Sequence, residues 1–397
     1  MPNNWQATAR RRDQVARQDL GLLSRKQADY LASAPHEAPV LVMDLDAVAR
    51  QYRTLSDGLA GVAIHYAVKA NPAPEIIARL VGLGASFDAA SRAEIELCLA
   101  QGAGVKQISF GNTIKRAADI AWAWAQGIEL FAADAREELA KIAAQAPGAK
   151  VYLRLLVETC EADWPLSRKF GAPAEEIPAL LQEAVRLGLT PVGLSFHVGS
   201  QTRQAAMWQP ILAQAAAVWR EARQLGFELS LLNLGGGFPA SYDRGVQDSE
   251  TYCREVMAQV QALFGPVPQL MAEPGRGLVA GAGVIRAEVL LVSRKRASDL
   301  ARWVYLDIGK FSGLAETADE AIRYPVLAAV EGGERGPCIL AGPTCDSLDV
   351  LYEKRPLQLP MSLKAGDPLL ILASGAYTAS YASVGFNGFP PLKVVCL

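Results

Sequence analysis

The segment Val62-Ala63-Ile64-His65-Tyr66-Ala67-Val68-Lys69-Ala70-Asn71-Pro72 passes from an apolar run into a lysine, and then into a proline that opens a helical pattern. The order strand, polar residue, helix recurs along the chain. Short apolar strands end near Tyr66, Asp88, Gly111, Phe131, Leu155, His197, Leu234 and Ala272, the first five at roughly 22-residue steps, the size of one βα unit. Amphipathic stretches lie between them at 75–83, 93–99, 117–125, 137–144, 176–187, 211–225 and 252–263. Eight such strands, each with a helix within reach, predict an α/β protein built on a (βα)8 barrel of the TIM type over residues 45–277.

Beyond Gly277 the period changes. Runs at 284–291, 303–307, 325–330, 338–341, 368–372 and 393–395 are β-rich and divided by Gly and Pro, which predicts a C-terminal, mostly antiparallel β domain. The strand at 40–43 can join it, so the second domain is read as residues 37–44 with 278–397. Asp44-Leu45-Asp46 caps a helix that runs to Leu55. Residues 1–36 form an N-terminal extension, polar and basic, with a helical pattern from Leu20 to Leu31; the rest reads as solvated and partly disordered. Arg10-Arg11-Arg12 is interrupted by acids and followed by no apolar core, so it is not read as a targeting signal.

Bulk properties exclude several classes. At 397 residues the chain is long enough for about two domains and a large core. Its 39 Lys and Arg balance 41 Asp and Glu, which leaves no basic surface for nucleic acid. No run approaches the roughly 18 apolar residues of a membrane span. Six cysteines without C-x-x-C spacing and three dispersed histidines indicate a reduced cytoplasmic protein with no structural metal.

Polar residues fall in a pattern that packing does not explain. Lys69, Asp88, Asn112, Asp134, Arg154, His197, Gly235-Gly236-Gly237 and Glu273 stand at or just past the C-terminal ends of the strands. In a barrel those ends converge on the face that carries active sites. A lysine leaving a buried strand is poorly solvated and easily deprotonated, as a Schiff-base lysine must be, although an isolated lysine there is ordinarily just solvated surface. The glycine run exposes backbone N–H groups that suit a phosphate, though alone it is more often a turn.

Taken together, Tyr66-Ala67-Val68-Lys69-Ala70-Asn71, Phe196-His197-Val198-Gly199-Ser200-Gln201, Leu234-Gly235-Gly236-Gly237-Phe238-Pro239 and Glu273-Pro274-Gly275-Arg276 resemble the pyridoxal-phosphate (PLP) decarboxylases of the alanine-racemase-like fold. That family includes the ornithine, diaminopimelate and arginine decarboxylases. Gly342-Pro343-Thr344-Cys345-Asp346-Ser347-Leu348-Asp349 and Gly375-Ala376-Tyr377-Thr378 narrow the resemblance to the ornithine branch. It extends from about Ala38 to the C-terminus, with Phe87-Asp88-Ala89-Ala90-Ser91 and Arg168-Lys169-Phe170-Gly171 in the expected order.

The resemblance implies roles. Lys69 carries PLP, and Asp88 and Arg154 set its protonation and orientation. Gly235, Gly236, Gly237, Ser200, Gly275, Arg276 and Tyr377 hold the phosphate; Glu273 keeps the pyridine nitrogen protonated, making a stronger electron sink, and His197 stacks on the ring. Cys345 is the acid that protonates Cα after carbon dioxide leaves, from a loop that reaches into a neighbouring subunit. A homodimer with shared sites follows, with Lys169 and Asp349 as a pair across the interface. Asp319 and Asp346, and more weakly Glu316, are candidates for the substrate's distal ammonium. Ala318 stands where eukaryotic enzymes have a tyrosine, and Leu306-Asp307-Ile308-Gly309-Lys310 looks like the bacterial ornithine or lysine/ornithine branch.

The expected reaction is decarboxylation of L-ornithine to putrescine, with L-lysine to cadaverine as a second activity. The alternatives are a modified or acylated diamino acid, diaminopimelate, an amino-acid racemase, or an inactive regulator of polyamine metabolism. Glu273 opposes the racemase, which places an arginine at the pyridine nitrogen. Retention of Lys69, Glu273, Arg276 and Cys345 opposes the inactive binder.

Overall fold

The computed structural model describes residues 23–35, 37–157, 169–328, 330 and 333–397. The arginine cluster at 10–12, the start of the helical pattern at Leu20 and Arg168 lie outside the described residues. The chain divides into two compact units.

In chain order the elements begin with helix α1 (Arg25–Ser33), strand β1 (Val40–Met43) and helix α2 (Leu45–Gly58). Then come β2 (Val62–Ala67), α3 (Pro74–Val81), β3 (Ser86–Ala89), α4 (Arg92–Ala100), β4 (Ile108–Phe110), α5 (Ala117–Ala125), β5 (Leu130–Ala133), α6 (Arg136–Gln145) and β6 (Lys150–Arg154). They continue with α7 (Ile177–Arg186), β7 (Thr190–Ser195), α8 (Gln209–Gln224), β8 (Leu231–Asn233), α9 (Ser249–Phe264), β9 (Gln269–Ala272) and the short α10 (Arg276–Val279).

Strands β2 to β9 form a closed barrel in sequence order, all pairs parallel, sealed by β2 against β9 with Val62 opposite Leu270. This unit comprises Ala49–Pro239 and Val246–Leu278. Parallel strands need both faces covered; accordingly β4 and β8 are buried at every residue. Ala132, Tyr152, Leu231 and Met271, from four different strands, pack as one buried cluster and fill the lumen. Local chemistry starts the helices: Pro74 opens α3, the Ser91 hydroxyl accepts from the Glu94 N–H at 3.3 Å to cap α4, and Asp248 accepts from the Thr251 N–H at 3.0 Å to cap α9. Helix α5 ends where Gly127 turns at φ +91°, a left-handed angle that costs any other residue about 1 kcal/mol and that aims the chain into β5.

The second unit comprises the described residues up to Val48, Ala240–Gly245 and Val279–Leu397. Its strands are β1, β10 (Gly283–Ser293), β11 (Arg302–Leu306), β12 (Val326–Ala328), β13 (Arg335–Ala341), β14 (Val350–Leu351), β15 (Leu357–Pro360), β16 (Pro368–Leu372) and β17 (Lys393–Cys396). The long β10 organises them, pairing antiparallel with β1, β11 and β16. Only β1 with β17 and β11 with β13 run parallel, so the sheet is mostly antiparallel. Ala240–Gly245 groups with this unit because Tyr242 packs edge-on to Tyr324, ring centroids 5.5 Å apart, and Asp243 meets Arg323 at 3.4 Å.

The described part of the N-terminal extension contains a helix, as its pattern suggests, and that helix is packed rather than solvated. Helix α1 is seated on the sheet: the buried Gln27 amide donates to the carbonyls of Val42 and Ala282, both at 2.9 Å. Arg286 donates to the carbonyls of Leu31, Ala34 and Pro35 at 3.0, 2.9 and 2.6 Å, and Leu31 joins the core of Val40, Val42, Val284 and Leu370. A polar composition concealed this, because the anchors are themselves an amide and a guanidinium. Among the described residues no helix is long and apolar enough to cross a membrane.

Candidate active site

The rim of the barrel assembles most of the sequence's candidates on one unit. Lys69 follows β2, and its Nζ lies 3.9 Å from Oδ2 of Asp88 on β3. One premise needs correction: the lysine side chain is 48% exposed, so exclusion of solvent is not what prepares it. The buried partner is Asp88, at 4% exposure. Burial, and then the charge of Glu273, push its carboxyl up to about 8 against the lowering influence of Lys69 and Arg154. Its Oδ1 has no hydrogen-bond partner among the described residues, and a Cβ on Gly111 would lie 1.7 Å from that atom. Asp88 thus sits in a slot closed by the absence of a side chain on β4's exit loop.

Next along β3's exit, Glu94 stands in the first turn of α4. Its Oε2 accepts from the Ala90 N–H at 2.7 Å, and burial raises its carboxyl. Arg154, at the end of β6, has its guanidinium over the Phe170 ring at 4.9 Å. Asp134 and Asn112, also at strand ends, hold loops: Asp134 accepts from the Gly171 N–H at 2.8 Å and Asn112 donates to the Ala90 carbonyl at 3.2 Å.

His197 is locked in place. Its Nδ1 accepts from the Gly199 N–H at 2.9 Å, which leaves the proton of the neutral ring on Nε2. Burial, followed by the charges of Arg154 and Lys69, holds its pKa well below the ordinary value, so the ring is neutral. A Cβ on Gly236 would stand 3.1 Å from Nε2, and one on Gly237 would lie 2.4 Å from Val198. The backbone of the glycine run therefore lies flush against the histidine and its loop, as only glycine allows. Arg276 donates to the Ser200 hydroxyl at 3.4 Å, bringing two phosphate candidates together; Gly275 precedes Arg276 in the same turn.

An aromatic wedge supports this cradle from behind. Trp208 packs on Phe196 and Phe238 with centroids at 6.4 and 5.3 Å. Its Nε1–H donates at 2.6 Å to the Tyr252 hydroxyl, which donates at 2.7 Å to the Thr202 carbonyl. Thr202 N–H in turn donates to the Gly237 carbonyl at 3.0 Å.

Sequence reasoning missed Asn233, the last residue of β8 and fully buried. Its Nδ2 donates to Oε1 of Glu273 and its Oδ1 accepts from the Gly235 N–H at 2.8 Å. The Glu273 N–H closes the loop by donating to the Gly235 carbonyl at 2.8 Å. One amide thereby fixes the carboxylate and the glycine turn relative to each other. The available signal was the place of Asn233 at a strand end, directly before the quoted glycine motif.

The remaining candidates belong to the sheet unit. Cys345 is an exposed thiol. Beside it Asp346 accepts from the Leu348 N–H at 2.8 Å. Asp319 is 94% exposed at φ +52° and lies 3.3 Å from Lys354 Nζ, whereas Glu316 is buried. Tyr377 adopts φ +59° in the turn after β16, where Gly375 N–H donates to the Ala280 carbonyl at 3.0 Å. Asp349 is 2% exposed, and its carboxylate is already engaged by Lys310 N–H at 2.7 Å and by the Thr344 N–H and hydroxyl at 3.2 and 2.7 Å. Lys169, expected to meet Asp349 of a second subunit, lies over the Phe170 ring of its own chain at 5.0 Å.

A parallel barrel whose rim joins a lysine to a buried acid, a neutral histidine to a glycine cradle with serine and arginine, and a carboxylate to a fixing amide defines a pyridoxal-phosphate enzyme. The donor set fits that cofactor: an amine for the aldehyde, cations and N–H groups for the phosphate, and a carboxylate for the ring nitrogen. Residues 45–280 match the family model of the pyridoxal-dependent decarboxylase pyridoxal-binding domain. The chain is 34% identical to the lysine/ornithine decarboxylase of Selenomonas ruminantium over 92% of its own length and 91% of the relative's. The structure of SrLDC in complex with PLP and cadaverine superposes with a TM-score of 0.84 at 32% identity, covering 94% of each chain. That of the lysine/ornithine decarboxylase of Vibrio vulnificus complexed with cadaverine also gives 0.84 at 32% identity, over 94% of this chain and 99% of the other. The chain belongs to the pyridoxal-dependent decarboxylase family, and it is a PLP-dependent amino-acid decarboxylase.

Proposed function

We propose that the enzyme decarboxylates L-ornithine to putrescine and carbon dioxide, accepts L-lysine as a second substrate, and works as a homodimer in which the Cys345 loop of one subunit serves the barrel site of the other. The observation that carries this reading is the pairing of an exposed thiol with Asp346 on one turn, since a diamino acid requires a proton donor at Cα and an anion for its distal ammonium. The lysine/ornithine decarboxylases among its relatives support the same substrate class.

PLP, when bound, supplies the electron sink for the carbon that loses carbon dioxide. The chain supplies the rest. Lys69 carries the cofactor, and the buried Asp88 carboxyl, its pKa raised by burial and by Glu273, lies 3.9 Å from its Nζ. Glu273, held by Asn233, keeps the proton at the ring nitrogen. His197 covers one ring face as a neutral stacking partner. Gly235, Gly236, Gly237, Ser200, Gly275, Arg276 and Tyr377 bind the phosphate. Cys345 delivers the proton to Cα, and Asp346 with Asp319 holds the distal ammonium. Among the described residues no cysteine forms a disulfide, which fits a reducing cytoplasm.

The test is carbon dioxide release by the PLP-loaded enzyme from L-ornithine, L-lysine, L-arginine, meso-diaminopimelate and an N-acylated ornithine, with sedimentation to count subunits. Preference for ornithine, followed by lysine, is the expected result. Silence on both free diamino acids, with cofactor still attached to Lys69, overturns the substrate assignment in favour of a modified diamino acid.

A further inference from the structure

We infer that Asp349 and Asn387 are positioning residues that hold the backbone of the Cys345 loop, Asp349 from beneath and Asn387 from the side, so that the thiol is presented in one place. The inference rests on the reading of Cys345 as the Cα acid.

Asp349 lies four residues past the thiol, and its carboxylate gathers three donors from two segments. Lys310 N–H reaches Oδ1 at 2.7 Å; the Thr344 N–H and hydroxyl reach Oδ2 at 3.2 and 2.7 Å. The Gly342 N–H donates to its main-chain carbonyl at 2.8 Å. At 2% exposure the carboxylate is shielded from competing water. Two glycines make the room: a Cβ on Gly309 would stand 2.1 Å from Oδ1, and one on Gly342 2.2 Å from Oδ2. The thiol residue itself is fastened from another segment, since the Cys345 N–H donates to Oδ1 of Asn387 at 3.0 Å. Asn387 adopts φ +53°, a left-handed angle that asparagine and aspartate tolerate better than other side chains, and this turns its amide toward the loop. The two holding segments are themselves joined, because Phe311 and Phe386 pack with centroids 4.8 Å apart.

Every backbone donor from Thr344 to Cys345 is therefore assigned to a fixed acceptor, while the thiol side chain remains exposed. Such a loop constrains where a proton is delivered. After carbon dioxide leaves, a proton on Cα gives the amine. A proton added to the cofactor instead, followed by hydrolysis with one water, gives the aldehyde and leaves the amino group on the cofactor. Displacing the thiol should shift this partition without slowing carbon dioxide release, which precedes it.

The experiment compares the holoenzyme with Asn387→Gly, Asn387→Asp, Asp349→Asn and Cys345→Ala, reading hydrogen exchange at residues 343–346 and the aldehyde-to-amine ratio. Glycine accepts the left-handed backbone but removes the acceptor; aspartate keeps both. Asn387→Gly should raise exchange of the Cys345 amide about tenfold and the aldehyde ratio about tenfold, the scale of one lost charge-free anchor in a transition state. Carbon dioxide release should stay within about threefold of wild type. Asn387→Asp should match wild type in both readouts, and Asp349→Asn should shift both in the direction of Asn387→Gly. If Cys345→Ala shifts the ratio but Asn387→Gly and Asp349→Asn do not, whatever their exchange rates, the positioning inference is overturned and the acid role stands. If Cys345→Ala leaves the ratio unchanged, the acid role falls and the inference falls with it.

Discussion

Replacing Asn233 with alanine tests whether the two ends of the cofactor site are braced by one side chain. The fully buried amide donates to Glu273 and accepts from Gly235 N–H at 2.8 Å. Alanine strips both bonds in a place where water does not substitute. A hydrogen bond to a charged group contributes about 1.5–3 kcal/mol and a neutral one about 1 kcal/mol. Part of the neutral loss is recovered, because the Gly235 carbonyl is still held by Glu273 N–H at 2.8 Å. A net weakening of about 2–4 kcal/mol corresponds to roughly 30- to 1000-fold in PLP dissociation constant. Fluorescence titration of the cofactor-free enzyme with PLP measures it, alongside turnover at saturating PLP. Asn233→Asp separates the two bonds: it keeps an acceptor for Gly235 N–H but sets a second carboxylate beside Glu273, so turnover should fall further than cofactor affinity. Asn233→Ala with PLP affinity and turnover within about twofold of wild type would refute the brace.

Three further perturbations follow from the same geometry. The Asp88 carboxyl is raised to about 8 by burial and by Glu273, whereas an unfolded aspartate titrates near its ordinary value; the folded state therefore retains a proton that the unfolded state has lost, and stability falls as pH rises from about 4 to about 8. Cofactor-free Asp88→Asn should lack this slope and gain on wild type across that window, as read by urea unfolding at several pH values; parallel curves would show that Asp88 is ionised in the fold. Gly111→Ala would place a Cβ 1.7 Å from Asp88 Oδ1, so the acid or the strand exit must move; an overpacking cost of about 1–3 kcal/mol and a large loss of turnover are expected by thermal melting and carbon dioxide release, and wild-type values in both would contradict the closed slot. Tyr252→Phe removes the hydroxyl between Trp208 and the Thr202 carbonyl; it should cost about 1–2 kcal/mol in stability and weaken PLP binding severalfold, with unchanged PLP affinity separating the wedge from the cradle.

The barrel was legible because its signal is periodic. Each strand is short, largely apolar and mostly buried toward its C-terminal end, and the exits carry polar residues that a core would not tolerate, so Lys69, Asp88, His197 and Glu273 could be placed on one rim from spacing alone. What spacing does not encode is which polar group each of these side chains faces. Lys69 follows a buried strand, yet its side chain is half exposed between the buried Val68 and Ala70. Asn233 carries no periodic signal of its own; its two bonds run to Gly235 and to Glu273, forty residues further on, and only folding brings that carboxylate near. The small strands β14 and β15 carry little pattern, one being two residues long and the other ending in Pro360, and they are defined by their partner β13. Asp349 illustrates the same limit from the other side. The order of acids around Cys345 shows that a charge stands near the thiol, but not that the glycines at 309 and 342 enclose it and let it bind the N–H groups of its own loop. A glycine in sequence signals only that space is needed; the neighbour that fills the space, a carboxylate at Gly111, Gly309 and Gly342 alike, is a property of the fold.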